Sequence, residues 1–205
     1  MKKLLFLAVL FLIPIAFAHI PTIGVPSAVP FEVENPEVSQ AFYEELEGRE
    51  EIYMIDSKEP FHLYVQILSP DIKGADKDYV LTIYKDGNTF AYANESEWTL
   101  FHEHFANDNY FEGPTYESDV SAGTYTIHIS SGDNIGKYVF VAGKQEKFSV
   151  ADTFSTIINM PRLKRYMEKS PFTAYFNYVG LFLLVIVLLV CLVVFISVRI
   201  IKKYT

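Results

Sequence analysis

Residues 179–198 form a run of twenty positions without one charged side chain, and no other feature constrains the chain as much. As an α-helix rising about 1.5 Å per residue, such a run crosses the roughly 30 Å hydrocarbon core of a bilayer. A helix satisfies every backbone N–H and C=O within itself, which is what allows the segment to sit in lipid. Arg199, Lys202 and Lys203 follow directly, and positive charge behind a span favours the cytoplasmic side. Tyr175 and Tyr178 before the run and Tyr204 after it suit interfacial aromatic positions. The reading is one transmembrane helix over 176–198 and a cytoplasmic tail over 199–205.

The other end carries a second apolar stretch of different character. Lys2 and Lys3 precede an apolar run over 4–15, and Ala16-Phe17-Ala18 supplies a small-x-small cleavage pattern. The run contains Pro14 and is shorter than the ~20 residues a span needs, so residues 1–18 read as a cleaved signal peptide. Cleavage leaves His19 as the mature N-terminus and exports the body of the chain, giving a single-pass cell-membrane protein with its N-terminal domain outside. Arg162, Lys164, Arg165 and Lys169 then lie outside, against the usual charge bias, but the signal peptide has already set the orientation. Apolar residues over 153–167 recur at helical spacing around Pro161. They predict a juxtamembrane segment over 151–172, a kinked or split helix on the outer leaflet that serves as a spacer.

What lies between these ends is one domain of ordinary size. Residues 19–150 carry 8 Lys+Arg against 23 Asp+Glu, a formal charge of −15. Nucleic acid is excluded as a partner, because its phosphates would be repelled. The only cysteine, Cys191, sits inside the span, so no intrachain disulfide supports the domain and its stability must come from packing.

Over 31–150, short runs of Val, Ile, Tyr, Phe and Thr are broken every ten residues or so by Gly, Pro, Asp and Asn, the pattern of an antiparallel β-sandwich. Phe61, Leu63, Val65 and Ile67 alternate on one face of a strand that stops at Pro70. Residues 79–85 alternate likewise, and Asp86-Gly87 turns them back as a hairpin against 89–93. Residues 40–46 and 51–56 are weaker strand candidates. Gly123-Thr124-Tyr125 opens one long strand, and Gly136-Lys137-Tyr138-Val139 opens another after a polar loop; together they predict a closing hairpin.

Those two motifs resemble the last strands of jelly-roll domains of the bacterial pre-peptidase C-terminal type. The resemblance covers residues 123–142, and it implies a jelly-roll-like fold with an accessory or binding role and no activity of its own.

Residues with chemical potential are few. A mature N-terminal His19 offers an α-amine and an imidazole that can chelate copper if a second histidine completes the site, with His62, His102, His104 and His128 as partners. His102 and His104 are two apart, so on a strand they share a face with Glu103 opposite, a usable metal-ligand spacing. Acidic loops over 71–78 and 108–112 could hold Ca²⁺ through oxygen ligands, although neither has EF-hand spacing. Trp98, Phe101, Phe105, Tyr110, Phe111 and Tyr116 cluster between the hairpins, as a lid on the core or a platform for glycan or peptide. Asn94-Glu95-Ser96 is a glycosylation sequon. The sequence has no GxSxG elbow, P-loop or HExxH, so no catalytic residue is assigned.

The resulting expectation is an all-β, jelly-roll-like antiparallel sandwich over 31–150, preceded by an extended lead-in over 19–30 and followed by a juxtamembrane helix and one transmembrane helix. It would be a membrane-anchored binding or accessory protein with a protein or glycan ligand. The alternative is a copper- or other metal-binding surface protein built on His19, with His102 and His104 as further metal ligands.

Overall fold

The computed structural model describes residues 20–24, 30–94, 97–147 and 149–204. Residues 1–18, read above as a signal peptide, and His19 lie outside them, as do Glu95 and Ser96 of the sequon. Eleven strands are formed among the described residues: β1 (Ile20–Ile23), β2 (Phe31–Glu32), β3 (Gln40–Glu47), β4 (Glu51–Ser57), β5 (Phe61–Pro70), β6 (Val80–Lys85), β7 (Asn88–Asn94), β8 (Thr99–Glu103), β9 (Asp108–Val120), β10 (Gly123–Ser130) and β11 (Ile135–Ala142). Helix α1 (Val150–Tyr166), a 3₁₀ turn (Pro171–Tyr175) and helix α2 (Tyr178–Tyr204) follow.

The strands make a two-sheet β-sandwich. One sheet runs β1-β3-β11-β5-β9-β8, the other β2-β4-β10-β6-β7. Alternation decides what each strand buries. Leu63, Val65 and Ile67 of β5 face Tyr125, Ile127 and Ile129 of β10 across one core that also holds Phe42, Tyr53, Leu81, Ile83, Tyr138 and Phe140. Its large rings pack at angles: Tyr53 lies 4.2 Å from Phe140 between ring centroids, and Phe61 meets Tyr125 edge-on at 5.7 Å. Tyrosine hydroxyls inside it find partners. The Tyr53 and Tyr138 hydroxyls share a 3.1 Å hydrogen bond, and the Tyr79 hydroxyl donates to the Lys137 carbonyl at 2.9 Å. The β6–β7 hairpin turns on Asp86 and Gly87, with φ of 48° and 81°, the paired left-handed residues of a type I′ turn.

Two expectations need correction. The sheets are antiparallel except at one edge each, where β1 runs parallel to β3 and β2 parallel to β4. The lead-in supplies β1 and β2 follows it directly, and an edge tolerates Pro21 because the N–H that proline lacks would face the free side. The second concerns the closing pair. β10 hydrogen-bonds to β4 and β6, whereas β11 bonds to β3 and β5, so they lie in opposite sheets and form no hairpin. Each carries a row of large apolar side chains, and facing the rows across the core buries both. The loop between them spans the ~10 Å separation of stacked sheets.

β11 is covered on both faces. Tyr138, Phe140 and Ala142 enter the main core, while Val139 and Val141 belong to a second apolar layer with Ala41, Leu68, Tyr110 and Met167. That layer lies between the six-stranded sheet and the segment carrying α1, so the domain has three layers. Truncating Ile127, which is fully buried between the sheets, to Ala is expected to lower unfolding free energy by about 2–5 kcal/mol in urea titrations of the detergent-solubilised protein.

Candidate functional site

The unusual chemistry of the described structure is concentrated where the sandwich meets its C-terminal helices. Helix α1 starts at a capping box: the Ser149 hydroxyl accepts from Asp152 N–H while the Asp152 carboxylate accepts from Ser149 N–H. Its end is a Schellman motif, with Lys169 N–H donating to the Lys164 carbonyl at 2.8 Å and Glu168 N–H to the Arg165 carbonyl at 2.9 Å. Glu168 takes the left-handed position at φ 54°, where glycine is usual, and its carboxylate pairs with Lys137 at 2.9 Å. This turn brings the side chains of Lys164 and Lys169 to one point.

At that point stands Asp108, the first residue of β9, which has no exposed surface. Its Oδ2 lies 2.7 Å from Lys164 Nζ and its Oδ1 2.6 Å from Lys169 Nζ. Lys164 is itself 2% exposed and also donates to the Ala106 carbonyl. The neighbouring Glu103 carboxylate accepts the N–H groups of Phe105 and Ala106, each at 2.6 Å, and so shapes the β8–β9 turn. Burial pushes the Glu103 carboxyl up from its ordinary range, and those two N–H donors pull it back. The four basic residues that the sequence places outside are therefore divided: Lys164 and Lys169 are turned inward onto the sandwich.

The same junction continues into α2. Pro161 sits inside α1 without splitting it. A proline has no N–H for the carbonyl four residues back, and the carbonyl so released, that of Ile157, accepts the Tyr175 hydroxyl at 3.2 Å. Asn177 then caps α2, its Oδ1 accepting Gly180 N–H at 3.1 Å, while its amide donates to the Ala174 carbonyl at 2.9 Å and to the Ala106 carbonyl at 3.4 Å. Gly180 is required by close approach, since a Cβ there would collide with the Tyr175 carbonyl. Within α2, residues Leu183–Lys202 have a mean hydropathy of 3.2 and none of this stretch is buried in the protein, so it is long and apolar enough to cross a membrane.

The two outer sheet faces are consequently unequal. Tyr166 reaches the six-stranded sheet, its hydroxyl on the Tyr138 carbonyl at 2.6 Å, and with Met167 covers that face. At its open end lies an ionic cluster: Glu117 bridges His62 and Lys144 at 2.9 and 2.6 Å. His62 is held above its ordinary pKa by Asp119 and Glu117. The outer face of the five-stranded sheet has no covering layer among the described residues. It presents Met54, Thr82, Tyr84, Tyr92, Thr126 and His128, all partly or well exposed, in an otherwise strongly acidic domain.

The sequence-nominated residues are distributed as follows. His102 and His104 stand together at the end of β8, ring centroids 4.8 Å apart, with Glu103 directed inward. β1, which begins at Ile20, is at the opposite edge of that sheet from β8. Asn94 ends β7 and is exposed. The acidic loop over 71–78 is divided, Asp71 pairing with Asn109 while Asp76 lies near Asp78 and Asp133; burial and those two carboxylates raise the Asp76 pKa. No three His, Cys, Asp or Glu side chains among the described residues converge as a metal-holding group. The aromatic cluster serves largely as a lid: Trp98 packs on Gly113 and the core, and Tyr110 is buried. The sequence placed Asp108 in a candidate calcium loop and Lys164 and Lys169 among outer basic residues, and their pairing was not foreseen. The one hint available was an aspartate in register with Tyr110 on an alternating strand.

No family model and no curated protein matches the chain. Among solved structures, it is similar to the pre-peptidase C-terminal domain of collagenase from Bacillus anthracis, with 12% identity and a TM-score of 0.36, covering 58% of this chain and 97% of that domain. It is also similar to CBM35 from Cellvibrio japonicus Abf62, at 14% identity and a TM-score of 0.28, covering 51% of this chain and 74% of the other. A β-glucosidase from Paenibacillus barengoltzii matches at 8% identity and a TM-score of 0.29, over 58% of this chain and 13% of the enzyme. The first of these is of the kind that residues 123–142 resemble.

Replacing Asp108 with Asn leaves a buried, unpaired Lys164 ammonium and is expected to cost about 3–5 kcal/mol of unfolding free energy. The double substitution Asp108→Leu with Lys164→Met, which removes both charges, should recover most of that loss in the same titration.

Proposed function

We propose that the chain is a single-pass cell-membrane protein, sandwich outside and residues 199–205 in the cytoplasm, that works as a binding or accessory protein. The observation carrying this reading is the junction. An apolar helix of spanning length is joined to the sandwich through Asn177, Tyr175 and the Asp108–Lys164–Lys169 cluster, and this joint occupies one sheet face while leaving the other free.

Exposed Phe154 and Ile158 on α1 and exposed Phe172 and Phe176 next to α2 supply apolar side chains for the headgroup boundary. Together with the span they would hold the sandwich in a fixed attitude against the bilayer. A ligand, protein or glycan, then meets the uncovered five-stranded sheet, whose tyrosines and threonines offer apolar rings and hydroxyls.

Two experiments test this. In intact cells, external protease should remove the sandwich and spare a tag placed after Thr205, and sequencing of the mature protein should begin at His19; a protected sandwich or an intact Met1 contradicts the topology. A photo-crosslinking residue at Tyr92 or Thr126 should capture a neighbour or glycan that the same residue at Ser155 does not, and equal labelling at both places contradicts the assigned face.

A further inference from the structure

The histidines at the end of β8 are oriented by a relay that a pair of merely solvated side chains does not need. Asn109 is the cross-strand partner of His102. Its backbone carbonyl accepts Asp71 N–H at 3.0 Å, and its side-chain amide donates to Asp71 Oδ2 at 3.3 Å. With the amide nitrogen committed to the carboxylate, the Asn109 Oδ1 faces His102 Nδ1 at 2.7 Å. An oxygen in that place accepts, so Nδ1 donates and Nε2 is the nitrogen left to ligate. This is the arrangement in which a metal-ligating histidine is held by its surroundings, the non-ligating nitrogen donating to an oxygen that is itself fixed.

His104 stands beside it, ring centroids 4.8 Å apart and planes at 79°. The two rings line a cleft of about 400 Å³ that is completed by Asn107, Asn177, Phe176 and Leu181. We infer that His102 and His104 bind a borderline divalent ion, Cu²⁺ or Zn²⁺, through two imidazoles, with Asn109 and Asp71 as positioning residues and the cleft admitting water to the remaining coordination positions. Imidazole suits both ions, and two protein ligands with open positions make an accessible site.

The site is independent of the ligand-binding reading and of His19. Its test uses the full chain in detergent micelles, titrated with Cu²⁺ or Zn²⁺ by calorimetry, with electron paramagnetic resonance on the copper form. The expected result is one equivalent bound, imidazole nitrogen hyperfine coupling on copper, a loss of at least tenfold in affinity in His102→Ala and in His104→Ala, and a 10- to 100-fold loss in Asn109→Leu. Both histidines are exposed, so their variants should unfold at the parental urea concentration, which separates lost ligation from lost folding. Absence of stoichiometric binding overturns the proposal. So does binding that survives both histidine substitutions and disappears in His19→Ala, because the ion then belongs to the N-terminus.

Discussion

A carboxylate taken wholly out of water costs several kcal/mol unless cations and hydrogen bonds replace its hydration, and Asp108 at the start of β9 is such a carboxylate. Its counter-charges come from residues 164 and 169, far along the chain, and they arrive together only because α1 ends in a Schellman turn. The β8–β9 turn, the end of α1 and the cap of α2 therefore depend on one another: Ala106 takes both Lys164 and Asn177 on its carbonyl. A buried ion pair of this kind contributes little net stability compared with an apolar replacement, but it penalises every arrangement in which one partner is missing. It specifies where the helix docks more than how firmly the domain folds.

That distinction bears on function. The core between the sheets holds most of the fully buried apolar side chains of the sandwich. The second apolar layer, with Tyr166 and Met167 over Val139 and Val141, adds area to the docked α1, while the ionic cluster fixes its position. The joint lies on the six-stranded side and leaves the outer face of the five-stranded sheet uncovered among the described residues. The proline in α1 contributes by releasing the Ile157 carbonyl for Tyr175, so a residue that ordinarily ends a helix here ties the helix to the segment leading into α2.

Much of the fold was legible because alternation and turn chemistry act locally. Leu63, Val65 and Ile67 had to share a face, and Asp86-Gly87 had to turn a hairpin. The pairing of β10 and β11 was misread because sequence neighbours with a short loop look alike whether they pair edge to edge or face each other across a core. The parallel edges β1 and β2 were invisible because strands of four and two residues carry no period. At the junction, Lys164 and Lys169 read as solvated charges next to a membrane, since nothing local reveals that a carboxylate 56 positions upstream of Lys164 is buried. The adjacency of His102 and His104 followed from strand spacing, whereas the part played by Asn109 and Asp71 required knowing that β9 lies beside β8 and that the turn after β5 returns to it.

Amide hydrogen exchange of the full chain in micelles, followed by mass spectrometry, tests the docking of α1 most directly. The account predicts that peptides over 157–166 exchange as slowly as those of β5, because the helix opens only when the buried charges separate. Exchange of that segment within seconds while β5 stays protected would mean that α1 is a loose spacer, and the fixed joint between the sandwich and its C-terminal helices would be wrong.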